Sequence, residues 1–192
     1  MKRKQQQGTP GFYFMRAGAT EAHARGLVCG GGSDLGLSDE GKEQIRRATT
    51  RAFAKNPQKI KTIFSSTLLR SMQSADFAHD MLHVKMRALP HFSERHFGQW
   101  EGKPVASAPG LSEAPAIIPG GESLDAFEHR VSEGLSKVLD LAHPALLVGH
   151  LMVGQVLQKL LNVGACVAFA HGDVYRFSKP LERWECAPYT QA

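Results

Sequence analysis

The chain has 192 residues, 42% of them hydrophobic and 21% charged, with a formal net charge of +5. A chain of this length buries roughly 70% of its unfolded surface in one domain, so it needs neither disulfide nor metal to hold together. The three cysteines, Cys29, Cys166 and Cys186, show no paired spacing, which argues against a disulfide framework or a structural zinc and for a reducing compartment.

Part of the charge lies in Met1-Lys2-Arg3-Lys4, at the start of a basic tail over residues 1–10 that is expected to be disordered. The tail has no apolar segment behind it, so it does not read as a signal peptide. No apolar run approaches the ~18 residues of a membrane span. The basic residues form no stripe interleaved with aromatics, so nucleic acid is not an expected partner. The positive charge suits a small anionic substrate instead. A cytoplasmic protein with one domain over residues 11–192 is the resulting expectation, with a homodimer left open.

Gly8 to Gly11 reads as a linker into a buried strand, Phe12–Met15. The segment from Ala22 to Leu37, with Gly30-Gly31-Gly32 at its middle, reads as a loop. Ser38 has the chemistry of an N-cap for a helix from Asp39 to about Lys55, stopped by Asn56-Pro57. Lys59–Phe64 is a second strand, and Ser65-Ser66-Thr67 leads into a helix ending near Leu82. Leu69, Met72, Phe77 and Met81 are the expected apolar positions of that helix. Val84–Leu89 is an edge or third strand, and Phe92 to Gly121 is irregular. Leu124, Phe127, Val131, Leu135 and Val138 recur at helical spacing after Ser123. Ala145–Val148 is a short buried strand, followed by His150 and a helix to about Leu161. Val174–Phe177 and Arg183–Cys186 read as an antiparallel edge. Alternating strands and helices of this kind predict a three-layer α/β/α fold with a mostly parallel central sheet. Ligands of such sheets bind at the carboxyl ends of the strands. Arg16, Ser65 and His150 each follow an apolar strand and therefore converge there.

Several residues at that edge carry possible chemistry. Arg16, beside Gly18 and Thr20, offers a planar fork to a phosphate where backbone can approach closely; alone it could equally be a surface ion pair. Arg70 falls in the first turn of a helix, where anions are favoured; alone it could be a solvated helix arginine. His150 fits either a catalytic role or a satisfied core position. Glu94 lies among aromatics, where a carboxyl can keep its proton and serve as a general acid. Glu101 is its rival, and a simple ion pair with Arg95 is the bland alternative. Ala17 occupies the place where a reactive side chain would be expected.

Five ordered blocks, spanning Phe12 to at least Leu161, give these residues a common meaning. They are Arg16-Ala17-Gly18-Ala19-Thr20, Ser65 to Ala75, Glu94 to Gly102, Pro119 to Arg130, and Val148-Gly149-His150. In this order the chain resembles the histidine phosphatase superfamily, the phosphoglycerate mutase-like group. By that resemblance Ala17 stands where the family has its nucleophilic histidine, which attacks phosphorus to form a phosphohistidine. Arg16, Arg70 and His150 would hold the phosphoryl oxygens, and Glu94 would protonate the leaving oxygen and then activate water. Substrate contacts are also implied for Thr20, His23, Cys29 and Leu151, although Cys29 could equally be a small buried filler. His23 departs from a frequent Asn of the family and Leu151 from its usual Gly. No metal and no cofactor are implied.

Mutases of this group carry a longer insertion than the roughly two dozen residues between Glu94 and Pro119. The short segment favours a phosphatase over a transferase. The first loop, from Thr20 to Gly30, resembles that of alpha-ribazole phosphatases, and sugar phosphates or phosphoglycerate are the next candidates. Val105 to Ile118 is expected to act as the pocket lid. Retention of Arg16, Arg70, Glu94 and His150 favours an engineered His→Ala replacement at position 17 over a natural pseudophosphatase that acts as a binding module.

Overall fold

A computed structural model describes residues 11–55, 60–108, 117–141, 144–165 and 167–190. The apolar runs become strands: β1 (Gly11–Arg16), β2 (Thr62–Ser65), β3 (Lys85–Ala88), β4 (Ala145–Gly149), β5 (Val174–Ser178) and β6 (Glu185–Pro188). Between them lie the helical turn α1 (Glu21–Ala24) and the helices α2 (Asp39–Phe53), α3 (Leu69–Leu82), α4 (Leu124–Leu139) and α5 (Leu151–Leu160). The strands form one sheet in the order β3-β2-β4-β1-β5-β6. The first four of that order run parallel; β5 runs antiparallel to β1, and β6 runs antiparallel to β5.

Alternation along each strand separates two apolar layers. Phe12, Phe14, Phe64 and Leu147 pack with Phe127, Val131, Val153 and Leu157 of α4 and α5. Their neighbours Tyr13, Met15, Ile63, Leu146 and Val148 pack on the opposite face with Ile45, Ala48, Ala75 and Ala78 of α2 and α3. This is the expected three-layer α/β/α arrangement. Among the described residues, no helix is long and apolar enough to cross a membrane.

The structure corrects several local expectations. Gly11 belongs to β1 rather than to a linker; the rest of the expected tail and the Asn56-Pro57 stop lie outside the described residues. The segment after Thr20 opens with the turn α1 instead of loop, because His23 Nδ1 accepts the Thr20 backbone N–H and caps it. The buried face of α3 is Arg70, Ser71, Ser74, Ala75, Ala78 and Leu82, whereas Leu69 is 37% exposed. Small side chains let α3 approach the sheet closely, and the face so formed carries an arginine inward.

Ser38 caps α2 by accepting the Gly41 N–H, as its position implied. The first turn of α2 is also the seat of the loop after β1. Ser38 N and Oγ both donate to the Ala19 carbonyl, and Ala19 N donates to Gln44 Oε1. A Cβ on Gly41 would stand 2.0 Å from the Ala19 oxygen, so backbone touches backbone there. Gly41→Ala is therefore expected to lower unfolding free energy by about 1–3 kcal/mol, the ordinary cost of forcing atoms into a packed region. Urea melts of the two proteins check this, and an unchanged midpoint would refute the close seat.

Candidate active site

At the carboxyl edge of β1, β2 and β4 lies a pocket lined by Arg16, Ala17, Gly18, His23, Cys29, Arg70, Glu94, His150, Leu151 and His171. Each side chain arrives by a short route from an element of the fold. Arg16 is the last residue of β1, and the Ala17 N–H donates to Gly149 O at 2.8 Å, continuing the β1–β4 ladder by one residue. His150 follows β4 and is the N-cap residue of α5. Arg70 rises from the first turn of α3 and is only 1% exposed.

The two arginines are held by neutral oxygens and an imidazole. Arg70 Nη1 donates to Ser33 O at 2.7 Å and Nη2 to Gly30 O at 3.1 Å. Arg16 Nη1 donates to Phe169 O at 2.6 Å and Nη2 to His171 Nε2 at 2.8 Å. Among the described residues neither guanidinium has a carboxylate partner at ion-pair distance. Burial lowers the Arg16 pKa, yet a guanidinium stays charged in proteins. Among the described residues the pocket thus holds two positive charges with no carboxylate ion-paired to them.

The histidines are neutral. Burial, with Arg70 and Arg16 nearby, holds His150 well below its ordinary value. Its Nε2 lies 2.7 Å from Ser66 Oγ, which in turn accepts the Leu68 N–H. His23 is pulled down to about 3 by burial, by His171 and by the arginines. Its Nδ1 accepts the Thr20 N–H, so the ring proton sits on Nε2. His171 is lowered to about 4, again mainly by burial and then by Arg16.

Glu94 and Glu101 separate cleanly. Glu94 lines the pocket at 6% exposure, accepting the Arg95 N–H at 2.9 Å and the Met152 N–H at 3.2 Å. Burial raises its pKa against the pull of those N–H groups and of the arginines. Arg95 meets it through its backbone, while Arg95 Nε donates to Glu122 O, so the simple Glu94–Arg95 ion pair is not what the site is built on. Glu101 lies outside the pocket lining. It accepts from the backbone N–H of Gly30, Gly32 and Phe97 and from Ser33 Oγ. Burial pushes its pKa up, but these bonds outweigh burial and hold it below the ordinary value. Glu101 and Arg70 therefore clamp one loop, the acid taking its N–H groups and the base its carbonyls. A second clamp holds the acid loop: Arg130 donates to both carboxylate oxygens of Glu122 and to the carbonyls of His91, Ser93 and Glu94.

Of the residues expected at the site, Arg16, Ala17, His23, Cys29, Arg70, Glu94, His150 and Leu151 do line one pocket. Thr20 does not. It is fully buried, and its hydroxyl lies 2.9 Å from His23 Nδ1, so it supports a lining residue from behind. Ser65 is also buried away from the pocket, and its neighbour Ser66 reaches His150 instead. The described parts of the expected lid, Val105–Ala108 and Ile117–Ile118, do not line the pocket; residues 109–116 lie outside the described set. Val105 N donates to Gly26 O, and Ile118 is buried with Val28 and Phe97.

His171 is a lining residue that the sequence analysis missed. It precedes β5, and because β5 runs antiparallel to β1, its beginning reaches the edge where the parallel strands end. The one signal was a histidine before a glycine at the start of a strand, in Ala170-His171-Gly172-Asp173.

Residues 12–171 match the model of the histidine phosphatase superfamily (branch 1). The uncharacterized phosphatase PhoE of Bacillus subtilis (strain 168) is 30% identical over 138 residues, covering 70% of this chain and 67% of that protein. The crystal structure of TTHB049 from Thermus thermophilus superposes with a TM-score of 0.73 at 28% identity, covering 94% of this chain and 99% of that one. A phosphoglycerate mutase from the same organism gives 0.73 at 27% identity, covering 95% and 99%.

The raised pKa of Glu94 has a consequence for stability. A carboxyl that binds its proton more tightly when folded contributes fully below the unfolded value of ~4.3. That contribution is lost as pH rises through the folded value. The unfolding free energy of Glu94→Gln relative to the unsubstituted protein is therefore expected to increase between about pH 4 and pH 8. Urea melts across that range measure it, and a pH-independent difference would show that burial does not raise the Glu94 pKa.

Proposed function

The chain belongs to the histidine phosphatase superfamily, and from that premise we propose that its parent form is a metal-independent phosphomonoesterase acting on a small phosphorylated metabolite. The observation that carries this reading is the pocket itself: Arg16, Arg70, Glu94 and His150 surround position 17. The family and the 30% identical phosphatase support a phosphatase-type activity.

A histidine at position 17 would attack phosphorus while Glu94 gives its proton to the departing oxygen. The ester P–O bond breaks as the P–N bond forms. Water then attacks the phosphohistidine with Glu94 accepting its proton, and the P–N bond breaks to free the histidine and inorganic phosphate. Arg16, Arg70 and the N-terminus of α5 supply preorganised positive charge where oxygen charge accumulates. His150 and His23 add ring N–H groups rather than further charges. With Ala17 the chain keeps this charge complement and lacks the lone pair, so the present form binds phosphate and does not turn over.

A replacement confined to position 17 is favoured over general decay by the intact surroundings. Arg16 and Arg70 keep their carbonyl partners, and Glu94 keeps its two backbone N–H donors. A pseudophosphatase that binds phosphorylated ligands is the second reading, supported by Ala17 itself. A mutase-type transfer is a third reading, and the short segment between Glu94 and Pro119 speaks against it. For the substrate, the first-loop resemblance makes alpha-ribazole 5′-phosphate the leading candidate, with sugar phosphates and phosphoglycerate next. A cytoplasmic location and a homodimer belong to the same proposal.

Ala17→His is expected to raise phosphate release by several powers of ten, the usual scale for restoring a covalent nucleophile. The assay uses p-nitrophenyl phosphate, alpha-ribazole phosphate, phosphoglycerate and sugar phosphates, each with and without EDTA. Turnover that EDTA abolishes would refute the metal-independent reading. An inert Ala17→His protein that still binds phosphate would favour the binding module.

A further inference from the structure

Arg16 is gripped at both its backbone and its side chain by one turn. The Arg16 N–H donates to Asp173 O at 3.3 Å, and its carbonyl accepts the Gly172 N–H at 2.9 Å. Its Nη1 reaches Phe169 O at 2.6 Å, and its Nη2 reaches His171 Nε2 at 2.8 Å. The other nitrogen of His171, Nδ1, lies 3.1 Å from the carbonyl of Ala17. We propose that His171 is a positioning residue that fixes the Arg16 guanidinium and the backbone of position 17 relative to each other around the phosphoryl group. The proposal rests on the phosphate-binding reading of the pocket.

Both ring nitrogens are committed to the protein, so His171 acts on a ligand through its neighbours. A guanidinium has N–H donors and no acceptor. His171 Nε2 must therefore be the unprotonated nitrogen, and the proton of the neutral ring lies on Nδ1, where the Ala17 carbonyl accepts it. This is one tautomer of two, selected by the partners on either side. A second proton on Nε2 would set N–H against N–H at 2.8 Å and break the contact to Arg16. The His23 ring stands edge-on against His171, 4.4 Å between centroids at 62°, and supports its plane. With Nη1 on Phe169 O and Nη2 on His171, the remaining donors of Arg16 are those left for a ligand. The same imidazole ties the residue that binds charge to the residue that would carry the nucleophile, so their spacing is set before any ligand enters.

Two measurements on the chain as it stands test this. The first is calorimetric titration with inorganic phosphate of the unsubstituted protein, His171→Phe, His171→Gln and, as a reference, Arg16→Ala. Phenylalanine keeps a ring but can neither accept from Arg16 nor donate to position 17; glutamine can accept and donate through its amide. His171→Phe is expected to weaken phosphate binding roughly tenfold, the scale of misdirecting one charge-assisted hydrogen bond, while His171→Gln stays within about threefold. Equal affinity in His171→Phe and the unsubstituted protein, with Arg16→Ala impaired, overturns the proposal and leaves the pocket reading intact. Equal losses in His171→Phe and His171→Gln also overturn it, because bulk rather than hydrogen bonding would then be responsible. No phosphate binding by the unsubstituted protein overturns the pocket reading and this proposal with it. The second measurement needs no variant: the 15N-resolved imidazole signals of His171 are expected to show the Nδ1–H tautomer, and an Nε2–H or doubly protonated ring overturns the proposal.

Discussion

Two guanidiniums, Arg70 buried and Arg16 half-buried, with no carboxylate at ion-pair distance among the described residues, set the character of this molecule. Taking a charge out of water is costly unless hydrogen bonds replace the lost solvent. Arg70 and Arg16 obtain those bonds from carbonyl oxygens and a neutral imidazole, which compensate for lost water without cancelling charge. A carboxylate at either position would have filled the site with its own anion. The carbonyls leave the pocket positive, which is the charge a phosphoryl group would match under the proposed function.

That requirement explains the loops around it. Carbonyls converge on a guanidinium only where the backbone bends sharply, and the segment from Cys29 to Ser33 does so over Arg70. The N–H groups of the same bend would then be unsatisfied, and the carboxylate of Glu101 takes those of Gly30 and Gly32. Arg130 does for the acid loop what Arg70 does for the glycine loop, gathering the carbonyls of Pro90, His91, Ser93 and Glu94 while paired to Glu122. Side chains that look catalytic by type, Glu101 and Arg130 among them, are thus the supports of the loops.

Ala17 carries no nucleophilic atom, and its surroundings hold it through its backbone. Its N–H bonds to Gly149, its carbonyl receives His171, and the loop after it rests on the first turn of α2. Nothing in this arrangement depends on the side chain at position 17. Covalent chemistry at this edge would need that one side chain, whereas the geometry needs only the backbone and its neighbours.

The strands, the long helices and most of the pocket were legible in the sequence because each depends on local pattern. Apolar runs four or five residues long mark β1 and β4, a 3–4 spacing marks α4, and residues directly after parallel strands must reach the carboxyl edge. Ordered motifs placed Arg16, Ala17, Arg70, Glu94 and His150 for the same reason. What depended on contacts distant in sequence was not legible. Ser71, Ser74, Ala75 and Ala78 are fully buried on α3 while the expected Phe77 and Met81 pack only at its margin, because close approach is decided by the partner surface. Thr20 supports His23 from behind, because which lining residue a hydroxyl meets is set by the fold of the loop. His171 joins Arg16 across 155 positions of chain only because β5 is antiparallel and starts where β1 ends. The sequence by itself determined which charges the pocket would hold and which position would face them. Only the tertiary structure decided which groups hold those charges in place, since direction and distance between remote residues exist only once the sheet has formed.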